Sequence, residues 1–581
     1  MLSDSASFTR LPKELTIRVL HFCTYQDILR FSATCKAYLE LVLNTANLQL
    51  QIELEVNCLQ VSSGYMRESQ QELLQQLRSY NNNWLNSFLD VGPSAKIAHH
   101  QRERMMGKLC SGLFTNVYSR SAAMQDHMQA DTVEIIPLDE PTSRWTHAFD
   151  VTFRQIAIDP DQDLLILAAA DEEEQKRLTV HFYSLRTGLT HPCARHPVIV
   201  LELEFSIAPF SRFYSPIYLS ILEEVLAVDL ISSYLSSRTI SCDALVLDWR
   251  NGCLLNHIGS RHGFCSTVCL NKDQLAVFVA QSSVEVSNSR TQSPKFDLII
   301  LLLFDQIRIP RSERLPEGSN VFDVSKGSIL APALALEFPK LGPDMTVTAA
   351  RFRAHYSGAS TNTQKFTPSS SCQTLCLTIR TLRLIHFPAP RGNYVIFLDL
   401  RRILHHLPQD LCHAQTVSLS WSAWGEAATR WNRISDREPA YPLSKTHGSR
   451  YVMARRVEDD GPFTELVVAD FNPVLARRSK MYDTDQERLY LPEKNCNATT
   501  SGEWPYLKPN PGTKIVVDYV DESRPTVTDG ISDNPIVSRL PYRVTIVSGP
   551  AVAFDDWMID GNRLIGIKVC LFFDQSKLDK R

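Results

Sequence analysis

Histidine, cysteine and carboxylate side chains are the groups here that could hold a metal or move a proton, and their spacing suits neither task well. His262, Cys265 and Cys269 stand close together, and Cys372 and Cys376 repeat the Cys spacing. Zinc sites use tighter pairs, so these thiols are expected to alternate along strands and face a core. His405-His406 and Cys412-His413 flank a loop around Pro408, with Asp410 as the acidic neighbour able to orient a ligand. A polar loop is expected there. Asp459-Asp460 and Asp555-Asp556 are adjacent carboxylates, which along a strand point to opposite faces. Glycosidase-type acid–base work would need the fold to bring two such acids together. There is no GxxxxGK[ST] phosphate cradle, no HExxH, no GxSxG elbow and no EF-hand loop. No catalytic residue, metal or cofactor is expected.

A cluster of aromatic residues suggests recognition chemistry instead. Trp421, Trp424 and Trp431 occur with Arg430, followed by His447-Gly448-Ser449-Arg450-Tyr451. Trp offers large contact area and Arg can stack over it, so Trp421, Trp424, Arg430, Trp431 and Arg450 are candidate residues for holding a partner peptide. A seam between packed sheets would use the same residues.

The elements that must position such groups begin with Leu11 to Val42. Leu11-Pro12 suits a helix start, because proline has a fixed φ and lacks an N–H. Leu15, Val19, Leu20 and Phe22 then recur at helical spacing. Asp27 is expected to cap a second helix carrying Ile28, Leu29 and Phe31, and a third would bury Cys35, Tyr38 and Leu41 or Val42. Three short helices bury little apolar area by themselves, so the unit wants a partner.

Residue by residue, this stretch resembles an F-box. Leu11-Pro12-x-Glu14-Leu15 matches its opening LPxEL, Val19-Leu20 its I/L pair, Asp27-Ile28-Leu29 its DLL and Cys35-Lys36 its VCK, without a gap. Cys23, Thr34 and Tyr38 depart from its usual Leu, Val and Trp. The resemblance implies docking on the Skp adaptor of a cullin-RING ubiquitin ligase. The implied contacts are Leu11, Pro12, Glu14, Leu15, Val19, Leu20, Ile28, Leu29, Cys35, Lys36 and Tyr38. An ordinary helical subdomain with this stripe as its core is the alternative. The aromatic cluster, WxxWGxxxTRW then HGxRY, also resembles a feature of F-box proteins of filamentous basidiomycete fungi, whose C-terminal part is propeller-like.

At 581 residues the chain exceeds what one core serves, and 44% hydrophobic with 21% charged residues is ordinary for a folded protein. A net charge of −4 gives no basic field for nucleic acid or anionic lipid. Met1 to Arg10 lacks the pattern of a secretory signal, and the apolar run Leu298 to Phe304 is too short for a membrane helix. The 14 cysteines show no CxxC pair and are expected to be reduced. An intracellular protein, cytoplasmic or nuclear, is expected, with the Asn497-Ala498-Thr499 sequon unused.

From Ser69 to Leu89, Leu73, Leu77, Tyr80, Trp84 and Phe88 predict a helix with one buried stripe that stiffens the join to the next domain. After about Lys108 the period becomes that of strands. Arg154–Pro160, Asp163–Leu167 and Leu178–Leu185 read as three strands, with Thr187-Gly188 turning into a fourth. Ile217 to Ile258 repeats the order, with Asn251-Gly252 at the same place. Further units are read at Val268–Phe304, Ala350–Leu400, Arg450–Phe471 and Tyr542–Cys570. Ser282–Lys295, Ser357–Ser371 and Asn495–Asn534 are expected to be solvated insertions, and Asp171–Glu174 an exposed hairpin tip. Radial repetition protects the edges of many short strands, which favours a β-propeller of six or seven blades over stacked sandwiches. The expected organisation is an F-box domain at 1–50, a helical connector at 51–105 and a large all-β propeller-like domain at 106–581.

The expected function is substrate recognition within a Skp/cullin/F-box ligase, through a Skp adaptor, its cullin and a target protein, without nucleic acid or membrane. A scaffold acting outside the ligase and a propeller hydrolase are the alternatives.

Overall fold

The computed structural model describes residues 11–86, 108–120, 129–140, 142–170, 176–203, 207, 216–234, 239–260, 263–282, 295–305, 313–314, 321–323, 331–353, 365–369, 374–384, 391–408, 416–434, 445–456, 464–478, 515–548, 554, 556–561 and 563–567. Asp171–Glu174, Phe88, His262, Cys372, Asp410, Cys412, His413, Asp459, Asp460, Asp555 and the sequon lie outside them.

Five helices open the chain: α1 (Lys13–Leu20), α2 (Tyr25–Ser32), α3 (Lys36–Leu43), α4 (Ala46–Val56) and α5 (Gln70–Asn86). Pro12 caps α1. The cap of α2 is Thr24 rather than the expected Asp27: Thr24 accepts from the Asp27 N–H and donates to its carboxylate at 2.7 Å. Asp27 thus sits in the first turn, where negative charge meets the positive end of the helix.

Among the described residues the rest is mainly β-structure, in six antiparallel-based sheets of four or five strands, two short two-stranded pairs and a C-terminal hairpin, with the short helices Leu400–Leu404 and Trp421–Ala428 between strands. In chain order the sheets begin with the strands Lys108–Cys110, Gln155–Asp159, Ile217–Leu222, Gly263–Cys269, Met345–Phe352 and Thr446–His447, and the hairpin with Asp556–Asp560. The first strands of the first five sheets touch in sequence, and that of the sixth meets the hairpin, which in turn meets the first. Where the fifth meets the sixth, the Thr446 hydroxyl donates to the carbonyl of Arg353. The hairpin reaches back to the first sheet, with the Asp560 carboxylate accepting from the Gly112 N–H and Arg563 pairing with Asp139. A closed ring of blades around an axis is the β-propeller arrangement.

Core side chains lie between successive sheets. Ile156, Leu165 and Leu167 pack with Val133 and Ile135 of the first sheet, while Ile166 and Val180 pack with Leu226 and Leu245 of the third. Because a blade has a neighbour on each face, its central strands are apolar on both sides, and Leu164 to Ala168 are all fully buried. That double burial explains continuous apolar runs where a half-exposed sheet would alternate.

The second and third sheets follow the expected order, with Gly188 at φ +69° and Gly252 at φ +62° before their fourth strands. Other expectations are corrected. Lys108 to Phe153 forms a complete four-stranded sheet that opens the ring. Tyr542–Ser548 starts no new unit; it pairs with Thr464–Asp470 in the sixth sheet. Ile515–Val520 and Thr526–Thr528 are strands inside the supposed insertion 495–534, and Phe366–Pro368 is a strand inside 357–371. Each pairs with chain far away in sequence or is too short to show a period.

The helices are bolted to the ring. Leu59–Val61 pairs antiparallel with Phe366–Pro368. Glu53 of α4 takes two bonds from Arg478, at 2.9 and 3.2 Å, and Asn472 donates to the Val56 carbonyl at 2.8 Å. On α5, Leu73 and Leu77 are buried, and Trp84 packs with Val452, Leu466 and Trp557. No helix among the described residues is long and apolar enough to cross a membrane.

Candidate functional site

Helix α1 has two apolar faces, and the fold uses them differently. Thr16 and Leu20 turn inward, and Leu20 joins Ile28, Val42, Leu48, Ile52 and Val56 in the core of the helical unit, closed by Val474 and Leu475 from the ring. Leu15, Val19 and Phe22, at spacings of four and three, remain outside at 47, 44 and 87% exposure. Leu11, Leu29, Leu39 and Leu43 are exposed as well. Of the eleven exposed large apolar side chains among the described residues, seven belong to positions 11–43. Such a concentration on a small unit marks a surface that another polypeptide covers.

Pro12, Glu14, Cys35 and Lys36 are exposed at the same unit. Tyr38 is half-buried, its ring stacked on Phe31 with centroids 4.1 Å apart. Leu20 and Ile28, at 3 and 0% exposure, are core residues and not direct contacts. Cys35 is corrected in the other sense: it precedes α3 as its cap residue and faces solvent. Phe22, Leu39 and Leu43 extend the face beyond the residues the motif pointed to. Once Leu20 and Val42 are assigned inward, helical phase alone places Phe22 and Leu39 outward.

The aromatic cluster is a joint between blades. Trp424, Arg430, Trp431 and Arg450 are buried, and only Trp421 is half-exposed. Trp421, Trp424 and Trp431 surround Phe338, and the Trp424 indole N–H donates to the Glu337 carbonyl at 3.1 Å, joining fourth and fifth sheets. Arg430 donates to the Leu540 and Arg524 carbonyls and the Thr526 hydroxyl at 2.8 to 3.0 Å; burial pushes its pKa down to about 10, so it is charged at neutral pH. Arg450 stacks over Trp84 at 4.2 Å and donates to Tyr80 at 2.9 Å and Asp470 at 3.2 Å, fixing α5 to the sixth sheet. As buried joints, these four side chains do not present a target-binding surface.

Cys265, Cys269 and Cys376 are buried core thiols, and burial pushes that of Cys269 up to about 12. Among the described residues no three His, Cys, Asp or Glu side chains gather to hold a metal.

The model of the F-box domain matches residues 8–48. No curated protein matches the chain. Among solved structures, the chain is similar to hydrazine synthase of Kuenenia stuttgartiensis, at 10% identity over 69% of this chain and 86% of that one, with a TM-score of 0.28. It is also similar to the β-propeller domain of the Trilobed protease of Pyrococcus furiosus, at 10% identity, 62% and 88% coverage and a TM-score of 0.25. A third is the acylaminoacyl peptidase of Pyrococcus horikoshii, at 10% identity, 63% and 57% coverage and a TM-score of 0.25. The ring itself is established by its own sheet-to-sheet contacts. Residues 8–48 of this chain are an F-box domain, fastened by α4 and α5 to a β-propeller-like ring.

Proposed function

We propose that this chain is the substrate-recognition subunit of a Skp/cullin/F-box ubiquitin ligase. The observation that carries the reading is the apolar face of Leu11, Leu15, Val19, Phe22 and Leu29, left open on the matched F-box domain while the unit's own core is complete. A Skp adaptor covers that face and brings the cullin; the ring holds the target protein. The chain makes and breaks no bonds itself. Its contribution is proximity, since a target lysine held near charged ubiquitin reacts as if intramolecularly. The bonds of Glu53 and Asn472 and the stacking of Arg450 support this role, because a rigid join keeps the target at a set distance. The work takes place inside the cell, in cytoplasm or nucleus.

The test is binding of the intact chain to a purified Skp adaptor and cullin. Leu15→Asp with Val19→Asp is expected to abolish capture of the adaptor while shifting stability of the free chain by no more than about 0.5 kcal/mol per surface site. Undiminished capture would overturn the docking face. Capture of adaptor without cullin would point instead to a scaffold working outside the ligase.

A further inference from the structure

The join between the helices and the ring encloses a cavity of about 30 Å³. Asn57, which caps the C-terminus of α4, and Asn81 of α5 line it from the helical side. Arg450, Asp470, Arg543 and Thr545 line it from the sixth sheet. A bound water needs roughly 10–15 Å³ of such space, so about two water-sized groups fit.

Asn57 is 4% exposed. Its amide nitrogen donates to the Glu53 carbonyl at 2.6 Å and to the Glu53 carboxylate at 3.3 Å, which sets the orientation of the amide and leaves Oδ1 as its other end. That oxygen is buried without a hydrogen-bond partner, and so is Oδ1 of Asn81. A buried amide oxygen with no donor costs free energy that a bound donor recovers. The charges at the cavity are already balanced in part, since Arg450 donates to Asp470 at 3.2 Å. The cavity therefore asks for donors and not for charge. The guanidinium groups of Arg450 and Arg543 disfavour a cation, and the two amide oxygens disfavour an anion.

We propose that this cavity is a binding site for two neutral hydroxyl donors held side by side, supplied either by a pair of bound waters or by the vicinal hydroxyls of a polyol. One O–H donates to Oδ1 of Asn57 and the other to Oδ1 of Asn81, and the Thr545 hydroxyl on the cavity wall can return a hydrogen bond. The occupant bridges α4, α5 and the sixth sheet across the join that sets the docking face against the ring. The site goes beyond the ligase reading and stands apart from the F-box face, so adaptor capture serves as its internal control.

The experiment uses the full chain. A crystal structure is expected to show two oxygens within hydrogen-bond distance of Oδ1 of Asn57 and Asn81, and an empty cavity would overturn the site. Asn81→Leu removes one acceptor and fills the space, while Asn82→Leu makes the same change in helix propensity at the exposed neighbouring position of α5. Relative to that control, urea unfolding of Asn81→Leu is expected to give an unfolding constant raised about fivefold or more, because expelling the occupant leaves Oδ1 of Asn57 unpaired. A constant equal to or below the control's would mean that leucine filled a dry void, and the proposal would fall. Ethylene glycol separates the two sources. If vicinal hydroxyls bind, the Tm gap between the unsubstituted chain and Asn81→Leu widens with the logarithm of glycol concentration, whereas an unchanged gap assigns the site to water. Adaptor capture stays intact in both variants.

Discussion

Asp229 carries its carboxylate inside the ring at 5% exposure, and burial pushes its pKa up to about 6 although Thr267 donates two hydrogen bonds that favour the ionised form. An unfolded chain would ionise it near its ordinary 3.8, so the folded state holds the proton over a wider range. The sign follows from linkage: the cost of ionising Asp229 is absent below about pH 3.8, grows through the interval, and is complete above about pH 6. Asp229→Asn should therefore remove a downward slope of stability between those values. Urea unfolding of both proteins at pH 4, 5 and 6.5 checks this, and parallel curves would show that another group carries the slope. Arg430 and Arg450 belong to the same scale. Each is a buried charge bound to neighbouring segments, Arg430 through Nε and Nη1 with its Nη2 left without a partner, which turns an unfavourable burial into a joint.

Turns decide how each blade returns to its last strand. Gly188 donates to the Ser184 carbonyl at 2.8 Å and Gly252 to that of Asp248 at 2.9 Å, both in the left-handed region. A Cβ on Gly252 would stand 2.4 Å from Cδ2 of His196, and one on Gly188 would stand 2.5 Å from Nδ1 of His147. Gly252→Ala thus combines a backbone penalty of about 1–2 kcal/mol with displacement of a neighbouring ring. The expected outcome is a Tm lowered by a few degrees, on the order of 2–4 °C per kcal/mol in a large domain, with adaptor capture intact. An unchanged Tm would mean that the turn relaxes freely. At this scale α5 is the decisive helix, since Trp84 and Tyr80 on one stripe reach the sixth sheet while Leu73 and Leu77 seal against α4 and the strand Leu59–Val61.

Closure of the ring rests on its last described element. The hairpin of Asp556–Asp560 and Arg563–Ile567 packs Trp557 and Ile559 against the sixth sheet and sends Asp560 and Arg563 to the first. Asp560 is 2% exposed, so Asp560→Ala leaves the Gly112 N–H without its acceptor at a cost of about 1–3 kcal/mol. The expected result is faster amide exchange in Lys108–Cys110 and in the hairpin, ahead of the second and third sheets. Uniform exchange throughout the ring would show that this contact does not govern closure.

Local pattern was sufficient for the three F-box helices, the α5 stripe and the second and third blades, because each is made of contacts between near neighbours in sequence and punctuated by Gly188 and Gly252. The chemistry of the long pairings was not legible there. Val417–Leu419 and Thr429–Ile434 complete the fourth and fifth sheets from far along the chain, and the latter lies within the cluster that spacing offers as a possible recognition surface. Spacing alone placed Leu15 and Leu20 on one apolar helix, yet only the packing of α4 with Val474 and Leu475 decided that Leu20 is core and Leu15 is open.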